Sequence, residues 1–179
     1  AAAANALGFV AKLTCIPWFA TQALDATPAQ VGELFSYTAL LGMVSAPLSG
    51  IIADKIGLKA VVVTSLAMCA AGLVVAQDSS TFRELQLCIG LWGMGTAAAG
   101  PAVNALAQES APKGGEGEAL TLPKTAGDAV FLIGPVFLGG FDDLLGSAGA
   151  SLDIVAASAA AAAVGTAVFL KPMGEEDVE

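Results

Sequence analysis

The chain has 179 residues, 56% of them hydrophobic and only 13% charged, with a formal net charge of -9 and a mean hydropathy of +0.76; an ordinary soluble domain carries about 25% charged residues. Lipid is therefore the expected solvent for most of the chain, and no basic footprint for nucleic acid is present. With no histidine, and with Cys15, Cys69 and Cys88 unpaired inside apolar stretches, neither a metal site, a cofactor nor a secreted disulfide framework is indicated. The cysteines read as small buried hydrophobes.

Residues 1–4 read as a linker-like start with no signal-peptide pattern, and the chain is expected to begin at a cut edge. A membrane-spanning helix needs roughly 20 mainly apolar residues. The first such stretch, 6–24, carries Lys12, Pro17 and Gln22 and ends at the turn Asp25 to Pro28. The second, 31–53, opens with Glu33, an acid favoured near the positive end of a helix, and contains Pro47. After the turn Asp54-Lys55-Ile56-Gly57 comes a third, 60–76, followed by Gln77 to Ser80. The fourth, 85–107, holds Gly90, Gly93, Gly95 and Gly100 together with Trp92, Thr96, Pro101 and Asn104. Small residues of this kind let helix backbones approach closely where lipid removes the usual hydrophobic drive. Ser110 to Gly115 leads into the fifth, 122–141, with Lys124, Gly127, Asp128, Gly134, Pro135, Gly139 and Gly140. Beyond Asp142 to Gly149 lies the sixth, 152–170, whose alanine run makes it only weakly lipophilic, so that an alanine-rich helix lying against the bundle is its alternative. Residues 172–179 form an acidic tail.

The fold class this predicts is all-α, a polytopic transmembrane bundle of about six spans over residues 5–171. A soluble bundle is disfavoured because no segment shows the broad polar stripe of a surface helix. Alternating the loops puts Lys55, Lys59, Lys113, Lys124 and Lys171 on one face and Arg83 on the other. Cytoplasmic loops are enriched in Lys and Arg, so the first face, with both termini and the tail, is expected on the cytoplasmic side of a plasma or organelle membrane.

Charges within a span cost roughly 2.5–3.5 kcal/mol on insertion scales, which makes Lys12 and Asp128 candidates by default. If they meet, the pair serves either as a proton or substrate relay or as a structural ion pair. Alternatively Lys12 snorkels to the interface, and Asp128 pairs with Lys124 four residues earlier on its own helix. The prolines are expected to break helices at membrane depth and to offer bending points. Gly134, Pro135 and Gly139 read as hinge or packing positions. A Ser-His-Asp set, a phosphate-binding glycine loop and a Cys/His cluster are all absent from the sequence, so an enzyme is not expected.

Between the second and third stretches the chain reads Gly50-Ile-Ile-Ala-Asp54-Lys55-Ile-Gly57-Leu-Lys59. This resembles the cytoplasmic loop signature of the major facilitator superfamily, G-x-x-x-D-(R/K)-x-G-(R/K)-(R/K), with Leu58 departing from it. Read on chemistry alone, Gly50 permits close helix contact, Asp54 can accept from amides at a helix start, and Gly57 suits a left-handed turn. Ile16-Pro17 and Asp25 to Gly32 are similar to the family's opening helix and outer loop, and Gly127 to Gly140 loosely to the Gly-Pro helix of its drug antiporters. The family consists of two six-helix halves. First halves of antiporter-like members carry an arginine in the fourth helix where Gly90 stands here, so the resemblance, with the acidic tail, points to the second half.

What the resemblance implies is secondary active transport of a small solute by alternating access, driven by a proton or ion gradient as symport or antiport. It also implies Gln22, Trp92, Thr96 and Asn104 as cavity-lining residues, with interhelical hydrogen bonding or interfacial anchoring as the plainer role of each. The expected partners are the lipid bilayer, the solute, and either the other six-helix half or a second copy. The rival reading is a non-transporting membrane subunit or assembly factor that keeps the scaffold.

Overall fold

Where no water reaches the backbone, its N–H and C=O groups must pair within the segment itself, and the apolar stretches do so as helices. The computed structural model describes residues 1–112, 114–145 and 150–169, apart from the side chain of Glu116; Lys113, Lys171 and the acidic tail lie outside the described residues. The helices are α1 (Ala2–Leu13), α2 (Cys15–Leu24), α3 (Pro28–Ile56), α4 (Leu58–Ala76), α5 (Phe82–Glu109), α6 (Glu116–Leu145) and α7 (Ala150–Phe169).

The first expected span is not one straight helix. α1 and α2 bend by 42° at Thr14. Pro17 has no N–H to offer the carbonyl of Leu13 one turn earlier, and the Thr14 hydroxyl instead donates back to Val10 O at 2.8 Å. Pro47, Pro101, Pro123 and Pro135, by contrast, lie inside continuous helices. Of the prolines expected to break helices, only Pro17 adjoins a break.

Two helix starts are fixed by reciprocal caps. Thr27 Oγ1 accepts from Gln30 N–H at 3.3 Å while Gln30 Oε1 accepts from Thr27 N–H at 2.8 Å; Thr81 and Glu84 do the same for α5. Each cap contributes about 1 kcal/mol. At the other end of the molecule, α3 passes to α4 through Gly57 alone.

Packing follows a paired pattern. α4 lies against α5 and α7, α3 against α5, and α1 against α6 and α7. Exchanging α1 with α5, α3 with α6 and α4 with α7 turns this set of pairs into itself. That is the signature of two three-helix repeats. The connections sort to two ends. Ala2, Leu58, Leu106 and Ala162 gather around one small apolar cluster, whereas Gln77 with Asp153, Gln86 with Glu33 and Asp142 with Ser151 join helices at the opposite end.

α3, α4 and α7 are long and apolar enough to cross a membrane, and the bent pair α1 and α2 would make a fourth. The alanine-rich α7 is thus apolar enough after all. α5 and α6 reach 28 and 30 residues but are more polar. For α5 the physical reason is enclosure: wedged among α1, α3 and α4, it buries Trp92, Gly93, Gly95 and Thr96 against protein rather than lipid.

The seam between α4 and α5 is backbone against backbone. A Cβ on Gly72 would lie 2.7 Å from Trp92 N and 2.8 Å from Cys88 O, and one on Gly95 would lie 2.6 Å from Ser65 O. A Cβ on Gly139 or Gly140, by contrast, would meet nothing within 4 Å among the described residues, so their packing does not require either glycine. Accordingly, Gly72→Leu and Gly95→Leu are each expected to destabilise the bundle by about 3 kcal/mol or more, while Gly139→Ala leaves it unchanged. Thermal melting of the purified protein, followed by monodispersity on size exclusion, checks this.

Candidate functional site

The loop signature forms the turn between α3 and α4. Gly57 donates its N–H to Ala53 O at 2.8 Å, ending α3, and accepts from Val61 N–H at 3.4 Å, opening α4. Its φ of 88° and ψ of 150° belong to backbone space that is nearly closed to residues with a Cβ. The signature's second glycine is therefore explained by this turn. Gly50 is not explained by contact, because nothing lies within 4 Å of where its Cβ would stand. Among the described residues Asp54 accepts no hydrogen bond from the first amides of α4; it and Lys55 are exposed, and Lys59 is half-buried.

Beside this turn lies a groove of about 1150 Å³. Asp54, Gly57, Lys59 and Thr64 form one wall, and Glu109 and Ser110 at the end of α5 form the other. The groove lies between the two three-helix repeats, with Asp54, Glu109 and Lys59 among its lining residues.

The four polar residues expected along a cavity do not converge. Trp92 is only 1% exposed, and its indole N–H is buried without a partner, opposite Gly8 of α1. Thr96, also buried, donates to the carbonyls of Trp92 and Gly93 at 3.2 and 3.0 Å, so its hydroxyl is spent on its own helix. Gln22 and Asn104 are exposed and sit toward opposite ends of the molecule. The α1–α5 seam carries a further polar group that composition alone does not single out. Asn5 Oδ1 is buried and unpartnered, and its amide nitrogen faces Gly100. A lone asparagine opening an apolar run was the available signal.

Lys12 and Asp128 are not brought together. Gly127 faces Ala6, and Gly134 packs on Val10 with its absent Cβ 3.1 Å from the valine methyls, so α1 and α6 run side by side in the same direction. That register leaves Asp128 short of Lys12 by roughly 8–12 Å at 1.5 Å per residue. The Lys12 ammonium lies instead 5.8 Å from the centroid of the Phe35 ring on α3. Asp128 and Lys124 are both exposed, with no ion pair between them among the described residues.

At the opposite end the acids are engaged. Buried Gln86 donates to Glu33 at 3.2 Å, tying α5 to α3. Gln77 donates to Asp153 at 2.6 Å, tying α4 to α7. Asp142 accepts from both the amide and the hydroxyl of Ser151 at 2.9 Å. Glu33 is thus an interhelical tie as well as a charge near a helix start.

Gly90 has a packing reason that bears on the missing arginine of α5. A Cβ there would lie 2.6 Å from Tyr37 Cε1 and 3.0 Å from a methyl of Leu41. A larger residue there would have to displace the Tyr37 ring and the Leu41 side chain of α3. From the turn geometry, Gly57→Ala is expected to lower stability by about 1–3 kcal/mol, whereas Gly50→Ala should be tolerated; melting temperatures of the two variants decide this.

No curated protein matches the chain. Residues 1–178 match the family model described as the Major Facilitator Superfamily. With that match spanning nearly the whole chain, and with the loop turn and the paired helix contacts in agreement, the chain belongs to the major facilitator superfamily, a family of membrane transporters.

Proposed function

We propose that the chain forms one six-span half of a secondary active transporter that moves a small solute by alternating access, with a proton or ion gradient as its drive. The observation that carries this reading is the family match over residues 1–178. The exchange symmetry of the helix contacts supports it, because a half built from two inverted repeats pairs with another such half around a central site. The exposed apolar side chains of α3 and α6, among them Leu40, Met43, Leu132 and Val136, suit contact with lipid and with that other half or a second copy. In this reading α5 and α6 also span, their polar content being tolerated where helices face protein or a water-filled cavity. The face with the Asp54 turn is cytoplasmic, with both termini.

Asp54 sits on the rim of the groove and makes none of the hydrogen bonds that would hold the turn together. Its role in this reading is to bias the exchange between conformations. Asp54→Asn is expected to lower the initial rate of uptake into proteoliposomes about tenfold, which corresponds to about 1.4 kcal/mol, with an unchanged yield of folded protein. Parallel loss of yield and uptake would make the residue merely structural. Sidedness is checked by single cysteines at positions 55 and 78 in a variant lacking Cys15, Cys69 and Cys88. In sealed vesicles the two are expected to label from opposite sides, and labelling from the same side contradicts the six-span arrangement.

A further inference from the structure

Lys12 is a cation inside the first apolar stretch, and among the described residues no carboxylate pairs with it. It lies in α1 two residues before the bend at Thr14, inside the first apolar stretch, and α2 continues beyond the bend to Leu24.

The acids that could balance it are elsewhere. Asp128 is offset along the neighbouring helix, Glu33 is held by Gln86, and Asp153 and Asp142 are held by Gln77 and Ser151 at the end of the bundle. What the structure places at the ammonium is the face of Phe35, 5.8 Å from its centroid. A ring quadrupole attracts a cation without neutralising it. The surroundings are also open: Lys12 is half-buried, and its neighbours Phe9 and Leu13 are 43% and 63% exposed. The bend at Thr14 lies two residues away, where the span can adjust.

An uncompensated charge in low dielectric is retained only where something pairs with it. We propose that the transported solute is a small anion, bearing a carboxylate or phosphate group, and that Lys12 is its charge partner. Phe35 holds the ammonium while the site is empty. When the anion arrives, the ammonium turns from the ring to the anionic oxygens, and the ring is left to pack against the solute's apolar part. The proposal rests on the transporter reading and names its class of substrate.

The test uses the full-length protein, purified and in proteoliposomes. Its melting temperature is measured against a panel of mono- and dicarboxylates and organic phosphates, including acetate, succinate and inorganic phosphate. Each carboxylate is compared with its uncharged amide, and all salts with chloride at equal ionic strength. At least one anion is expected to raise the melting temperature and to be taken up, with no effect from its uncharged counterpart. Lys12→Gln is expected to weaken the apparent affinity about tenfold or more, and Lys12→Arg to preserve it. The proposal is overturned if no anion shifts the parent, or if Lys12→Gln leaves the affinity unchanged. It is equally overturned if Lys12→Gln fails to fold and neutralising a carboxylate elsewhere in the full-length protein restores it, since a protein acid is then the partner. Uptake of an uncharged or cationic solute, equal in parent and Lys12→Gln, removes the anion assignment and leaves transport standing. Absence of uptake for every solute removes the transport reading itself.

Discussion

The bundle depends on how closely α4 can approach α5. In lipid, helices gain little by hiding apolar surface from one another, so association rests on dispersion and on interhelical hydrogen bonds, both of which need short distances. Gly72 and Gly95 provide those distances by bringing one helix's backbone onto the other. With α5 held there, Trp92 is enclosed and faces α1 across Gly8, and Tyr37 of α3 fills the space left at Gly90. The opposite side of α4 takes α7. α1, in turn, bridges α7 and α6. One close seam thereby sets the position of helices on both sides of it.

Around that seam the polar groups are divided by task. The end with Glu33, Asp142 and Asp153 uses its acids to tie helices together through Gln86, Ser151 and Gln77. At the other end Asp54 makes no such tie among the described residues, beside a turn of one residue and a groove between the repeats. Lys12 lies between the two ends, against an aromatic ring, at a bend.

The unpartnered atoms of the α1–α5 seam fit the same division. Among the described residues Asn5 Oδ1 accepts no hydrogen bond and Trp92 Nε1 donates none, although both are buried. One is an acceptor and the other a donor, on the neighbouring helices α1 and α5. Polar groups left unsatisfied in one arrangement lower its stability relative to any arrangement that satisfies them. The α4–α5 seam, where backbone meets backbone, leaves no such atom among the described residues other than Trp92 Nε1.

Sequence by itself determined the solvent of the chain, its helical class and the family, because these rest on composition, on run length and on a turn written in adjacent residues. Gly57 is legible for that reason: its positive φ is a local demand. The caps at Thr27 with Gln30 and at Thr81 with Glu84 are local too, three residues apart, and mark helix starts that apolar runs alone place less sharply. Tertiary structure alone decided which side chains meet. Lys12 and Asp128 share comparable depth when counted along the chain, yet the register of α1 on α6 separates them, and the ring beside Lys12 comes from α3. Tyr37 at Gly90, and Gln86 at Glu33, are likewise contacts between helices. Their partners depend on the rotation and axial shift of rigid rods against one another, and the packing that sets these is distributed over the whole bundle rather than written in any one segment.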